Sequence, residues 1–316
     1  MKNVLPIIAG AGLAMALTLQ PGQAQDYPTR AVEFIVPWAP GGGSDVLMRI
    51  IANNITPYFG ADMPVINIGG VGGTVGLAEA ASRAADGYTI SQVHEGLLTA
   101  TAVGMTDLAW DDFEPIALMT ASPQYLVAGA NQPFETFEGM VEYAQANPNA
   151  LTIGVTLGGV PHLHAAMIAE AFDIEWRYVG YEGTGERIRA VVGGNLDLAI
   201  GDVSSSLQFA ENGDLRFLAS GSEERVEQTP DIPTFAELGA ELDLLITRGI
   251  VMPKGAPEEA QARLEAALED LSRDETFIQQ VNNAGADVLF RGREDYFAYL
   301  DSLSETVARL SEVIAP

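Results

Sequence analysis

Val32-Glu33-Phe34-Ile35-Val36-Pro37-Trp38-Ala39-Pro40-Gly41-Gly42-Gly43-Ser44-Asp45 decides the fold. The first five residues are a β-branched and aromatic run that stops at Pro37, the signature of a short strand. A triple glycine follows as a loop. Val46, Leu47, Ile50, Ile51 and Ile55 then fall on one face of a helix, with Ser44 or Asp45 placed to cap its start. Strand, glycine loop and helix in that order form one unit of an α/β protein.

The unit repeats on both sides. Strands are expected at 64–68 and 88–93, with a glycine-rich loop at 69–76 and an Ala-rich helix at 77–84 between them. A second series follows: strand 151–155, loop 156–160, helix 161–172, strand 175–179, loop 180–184, helix 185–192 and strand 196–200. Alternation of this kind argues for mainly parallel sheets flanked by helices. The two β/α series, 27–122 and 151–220, are joined by short segments at 122–126 and near Arg248, and the chain ends in helices at 257–272, 275–284 and 293–314. The expected architecture is α/β, with two lobes and two crossings between them, the layout of a hinged clamp. Residues 25–123 with 249–316 form the first lobe and 124–248 the second.

Residues 1–24 stand apart. Lys2 precedes an apolar run from Val4 to Leu19, and Gly22-Gln23-Ala24 sets small residues before a cleavage point, as in a secretory signal peptide. The run is shorter than the ~20 residues of a spanning helix. The mature chain would begin at Gln25, with 292 residues and a charge of −28. An acidic chain is a poor partner for nucleic acid and for anionic lipid, so neither nucleic acid nor direct membrane insertion is expected after cleavage. The sequence contains no Cys, which excludes disulfides, thiolate nucleophiles and Cys-based zinc sites.

Four loops sit where an open α/β sheet binds ligands, beyond strand ends and at helix starts: 41–45, 69–76, 156–161 and 181–185. Free N–H groups and the helix dipole make such places anion sites, although each loop read alone is equally a tight turn. None completes a dinucleotide fingerprint, because Val46, Val75 and Ile188 stand at the third glycine position. Lys254 is the one lysine after Lys2 and follows Pro253, so no Walker A loop is present. No serine lies in a G-x-S-x-G frame. His162 and His164 are two apart and cannot clamp one metal from a helix. No metal and no cofactor are expected. His164 reads as a solvated or half-buried helix residue, while His94 and His162 lie at the mouths of strands or helix starts. Asp202 either holds a water or ligand hydroxyl or caps the helix at Ser204, and Trp38 either walls a ligand or packs a lobe. Among the arginines, Arg187, Arg189 and Arg248 lie near the expected cleft or crossings. Few cations and many N–H groups suit a small carboxylate better than a polyphosphate.

A resemblance accompanies this reading. Tyr27-Pro28-x-Arg30 with Ile35 to Asp45, then residues 69–76, Ala85-Asp86-Gly87-Tyr88-Thr89, residues 158–163, Ile232-Pro233-Thr234 and Arg248-Gly249-Ile250 resemble, in order, a substrate-binding protein of tripartite tricarboxylate transporters, the TctC or Bug family. The resemblance implies a two-lobed, type II-like periplasmic binding protein, monomeric and not an enzyme. It would bind a small carboxylate between its lobes and deliver it to large and small membrane subunits. It further implies ligand contacts from Gly42, Gly43, Ser44 and Asp45, with Gly73 and Thr74 on the same side, Thr156, Gly158, Gly159 and His162 opposite, and Asp202 at the rear. Trp38, His94 and Tyr181 are expected beside them. Two other readings of the same cleft stay open. One is an extracytoplasmic sensor for a membrane kinase; the other is a periplasmic enzyme with His94 or His162 as base and Asp202 as its partner.

Overall fold

The computed structural model describes residues 27–38, 40–41, 43–181 and 183–315. The expected export segment, 1–24, and the expected ligand residue Gly42 lie outside them.

The decisive stretch forms β1 (Glu33–Val36) and α1 (Gly43–Asn54). Leu47, Met48, Ile51 and Ala52 are the buried face of α1, the spacing of a helix laid on a sheet. They pack with Phe34, Val36 and Ile90 in one core. A short α2 (Thr56–Phe59) precedes β2 (Val65–Asn67), and α3 (Thr74–Ser82) leads to β3 (Thr89–Val93). Strands β1, β2 and β3 pair in parallel. Then come α4 (Gly96–Ala102) and the long β4 (Phe113–Pro123).

A single residue, Gln124, separates β4 from β5 (Tyr125–Gly129), which belongs to the second sheet. That sheet is completed by α5 (Phe137–Ala146), β6 (Thr152–Val155), α6 (Val160–Phe172), β7 (Arg177–Gly180), α7 (Thr184–Val192), β8 (Leu198–Gly201), α8 (Val203–Glu211) and β9 (Leu215–Ser220). The chain returns on β10 (Leu245–Pro253) and ends with α9 (Glu258–Ser272), α10 (Glu275–Asn283), β11 (Asp287–Arg291) and α11 (Arg293–Ile314).

The six-stranded sheet has the order β11-β4-β10-β3-β1-β2 and the five-stranded sheet β7-β6-β8-β5-β9. Each sheet keeps three adjacent parallel strands at one side, β3-β1-β2 and β7-β6-β8. The expectation of mainly parallel sheets needs one correction: neighbouring pairs are mixed, because β10 runs against β3 and β4, β11 against β4, and β5 against β8 and β9. The reason is topological. β5 and β10 are the strands on which the chain arrives from the other lobe, with no crossover helix to reverse its direction. β10 joins the first sheet from Leu245, which pairs with Pro123, four residues before the boundary expected at 248/249.

The two crossings run side by side. Gln124 donates its N–H to the Leu244 carbonyl at 2.8 Å, Gly221 donates to Gln124 at 2.8 Å, and Leu244 donates to Gly221 at 2.9 Å. Helix α11 straps the two lobes. It packs on α4 and β4 and reaches α6. Its buried stripe of Tyr296, Leu300, Val307, Leu310 and Ile314 shares a core with Leu163 and Ala166 of α6.

Candidate ligand-binding site

A cavity of about 290 Å³ lies between the lobes, where the chain leaves β1, β2, β3 and β6. Trp38, Gly72 and His94 line it from the first lobe, and Thr156 through Pro161 from the second. A larger cavity of about 410 Å³ lies beside the crossings, and its wall carries Glu223, Glu224, Glu227, Asp243 and Asp287 against Arg225 and Arg291. That acidic wall opposes an anion, so the smaller, uncharged cavity at the strand ends is the candidate site.

Of the expected residues, Trp38, His94, Thr156, Gly158 and Gly159 meet at this cavity. The Trp38 and His94 rings stack at 4.7 Å and 12°. Gly73 makes this possible: its φ is +94°, and a Cβ there would lie 2.9 Å from Trp38 Cζ2. Gly73, just before α3, therefore stands behind Trp38 and sets its plane, and Thr74 is the first residue of that helix. Gly96 donates its N–H to His94 Nδ1 at 2.7 Å, which leaves the ring proton on Nε2. Burial, with the nearby Arg248 cation, pushes the His94 imidazole down to about 3, so the ring is neutral at physiological pH.

Gly43, Ser44 and Asp45 form the first turn of α1. Asp45 turns back into the loop. Its carboxylate accepts from Gly41 N–H at 2.8 Å, Arg49 Nε at 2.9 Å and Asn67 Nδ2 at 2.8 Å. Burial alone would raise its proton affinity, but these donors hold the carboxyl below its ordinary value. Asp45 thus positions the glycine loop and keeps its own charge paired.

Two buried arginines flank the cavity, and neither stood among the expected ligand residues. Arg248, on β10, donates Nε to Ser44 Oγ at 3.2 Å and Nη1 to Ser122 Oγ at 2.9 Å and to the Ile246 carbonyl at 3.2 Å. Its Nη2 comes within 3.5 Å of where a Cβ on Gly43 would sit. Arg187, on α7, donates to the Ile200 carbonyl at 2.5 Å, Thr156 Oγ1 at 3.3 Å and Thr184 Oγ1 at 2.9 Å. It ties two second-lobe loops together. Burial pushes both guanidinium groups down to about 10, which leaves both cationic at neutral pH. The negative charge of Glu95, and after it Asp202, favours the cationic form of Arg248, and Asp202 that of Arg187. Sequence signals for them existed: Arg187 lies four residues before buried Val191, and Arg248 is the charged residue in the otherwise uncharged strand 244–251.

The remaining expected residues lie elsewhere. His162 is buried beneath the loop; its Nδ1 accepts the Gly158 N–H at 3.2 Å and its ring meets Tyr178 edge-on at 4.3 Å. It supports the loop from behind because helix geometry turns it away from the cleft. Tyr181 is half-buried, with its ring against the core of α7 and β8; its carbonyl accepts from Thr156 Oγ1 at 3.0 Å. Asp202 caps α8 through Ser205 N–H at 2.8 Å while its charge acts on both arginines. His164, expected to be solvated or half-buried, is instead buried; burial, with Arg187 nearby, pushes it down to about 3. The loop N–H groups are also more committed than expected: Gly73 donates to Gly70, Gly159 to Thr156 and Gly158 to His162.

Two α/β lobes joined by paired crossings, with an uncharged cavity and buried cations between them, define a solute-binding protein of the clamp type. Residues 47–315 match the model of the tripartite tricarboxylate transporter family receptor, TctC, and the chain belongs to that family. A Cupriavidus necator protein, described as a UPF0065 protein in the gbd 5′ region, is 30% identical over 267 residues, covering 82% of this chain and 80% of its own. Among solved structures, an R. palustris protein with adipate superimposes with a TM-score of 0.78 at 25% identity, covering 92% of this chain and 100% of its own. MatC from Rhodopseudomonas palustris with bound malate gives 0.71 at 25% identity, covering 91% and 100%. Among the described residues no helix is long and apolar enough to cross a membrane, and no cluster of ligating side chains could hold a metal ion.

Proposed function

We propose that this chain captures a small carboxylate in the periplasm, between its two lobes, and hands it to the large and small membrane subunits of a tripartite transporter. The observation that carries the carboxylate reading is Arg248. This buried cation comes from a crossing strand and lies against the first turn of α1, close to the neutral His94. Helix start and guanidinium together present charge-assisted donors to one anionic group. The family model and the adipate- and malate-bound relatives support the same ligand class. Export follows from the segment at 1–24, and lobe closure over the acid would create the surface that the membrane subunits recognise.

The test is a thermal-shift screen of the mature protein against carboxylates, sugars, free amino acids and nucleotides. A ligand present at 100 times its dissociation constant stabilises the folded state by about 2.7 kcal/mol. Hits among the carboxylates support the proposal; hits confined to sugars or nucleotides contradict it. Membrane vesicles carrying the two transporter subunits should take up the identified acid only when the loaded protein is added.

A further inference from the structure

Two buried cations stand behind the cavity wall, Arg248 against Ser44 and Arg187 against Thr156. Among the described residues none of those lining it is charged. The polar groups of its wall are largely committed within the protein. Thr99 Oγ1 donates to the Gly96 carbonyl at 3.1 Å, and Thr156 Oγ1 donates to Tyr181 while accepting from Arg187. The N–H groups of Gly96, Gly158 and Gly159 each already have an acceptor. The apolar lining includes Met105 and Leu157, each 42% exposed and on opposite lobes, together with buried Ala100 and Pro161 and half-buried Ile246. The Trp38–His94 stack supplies a flat wall beside Arg248.

We infer that the site selects a monocarboxylate with a planar or apolar body, and excludes di- and tricarboxylates. The inference rests on the carboxylate reading and narrows it. The single carboxylate sits at Arg248 and the α1 first turn, and the body lies along Trp38 and His94 toward Met105 and Leu157. A second carboxylate would lose its water in a region where the second-lobe cation, Arg187, already donates to the Ile200 carbonyl, Thr156 and Thr184, and where the Gly96, Gly158 and Gly159 N–H groups already have acceptors. An aromatic ring loses little by entering there and gains an offset stack on the Trp38–His94 wall. The relatives carrying adipate and malate hold acids with two carboxylates, so this chain would differ from them in the far half of its cleft.

Calorimetry on the mature protein tests this with benzoate, nicotinate and phenylacetate against adipate, malate and citrate, with propionate as a small monocarboxylate. The expected result is that an aromatic monocarboxylate binds at least about tenfold more tightly than any acid with two or three carboxylates, the factor that 1.4 kcal/mol of discrimination produces. Trp38→Leu keeps apolar volume but removes the ring; it should weaken the aromatic acid roughly 3- to 10-fold and leave propionate unchanged, while Trp38→Phe restores most of the loss. Tightest binding by adipate, malate or citrate would overturn the inference and leave the carboxylate reading standing. Equal weakening of aromatic acid and propionate by Trp38→Leu would also overturn it. Binding of none of these acids would overturn both readings.

Discussion

Arg248 and His94 divide the electrostatic work of the cleft. Arg248 is the buried cation beside the α1 first turn and His94 is held neutral next to it, while Arg187 is the buried cation of the second lobe. Arg248→Met should therefore weaken carboxylate binding by about 10- to 100-fold, the value of one hydrogen bond to a charged group, with little change for a neutral amide analogue; titration calorimetry measures both. The neutrality of His94 also has a stability consequence. Its folded-state value of about 3 lies below the unfolded 6.5. The unfolded chain then binds the extra proton first, so stability is complete above about pH 6.5 and falls as pH drops toward 3. His94→Gln should flatten part of that loss in urea titrations at pH 7 and pH 4.5; His164 contributes a parallel loss and keeps the slope from vanishing. At this scale the sequence was half legible. Trp38, His94, Thr156, Gly158 and Gly159, expected from the strand ends and the family resemblance, line one cavity. Arg187 and Arg248 passed over as ligand residues because the inward aim of a long side chain depends on its neighbours in space.

Elements formed by local pattern were the easiest to read. The run of 293–314 predicts a helix that the structure places at those limits, because helix periodicity is written in consecutive side chains; α1 forms too, but it begins at Gly43, ahead of the caps expected at Ser44 or Asp45, and leaves Val46 of the expected stripe exposed. Helix α4 was missed: Gly96-Leu97-Leu98-Thr99-Ala100-Thr101-Ala102 is short, starts with glycine and is held largely by tertiary burial of Leu97, Leu98 and Ala100. The antiparallel placing of β5 and β10 was equally hidden, since their pairing partners lie far away in the chain, Tyr125 opposite Gly201 and Ser220, and Leu245 opposite Pro123. The crossings they make predict a sensitive point. A Cβ on Gly221 would sit 2.3 Å from Leu244 Cβ and 2.7 Å from the Leu244 carbonyl oxygen. Gly221→Val should force the two crossings apart, lowering stability by about 1–3 kcal/mol as overpacking does. Denaturant unfolding measures the loss; an unchanged midpoint would mean that the paired crossings are not rigid. Arg187→Met removes the tie between the 156–161 and 181–185 loops and should cost on the order of 3 kcal/mol, the scale for breaking a buried charged network.

Across the whole molecule the charge is −27, against an expected anionic ligand. The far field therefore repels what the near field binds. Salt screens the first and spares the second, with a Debye length of about 8 Å at physiological ionic strength. Association with a carboxylate should accordingly speed up as salt rises from ~10 to ~150 mM, the reverse of an electrostatically steered encounter; stopped-flow tryptophan fluorescence would report it, and a rate that falls with salt would contradict the picture. Lobe closure must also carry α11, which packs on both lobes and places Ile314 beside the His162 and Gly158 loop. If the Arg248 guanidinium and the α1 start together grip the carboxylate, titrating the mature protein with its tightest-binding acid and with the matching primary amide will separate the two ligands. The amide should bind at least about tenfold more weakly, and Arg248→Met should remove the difference; equal affinity of acid and amide for the unsubstituted protein would rule out a grip on the carboxylate charge.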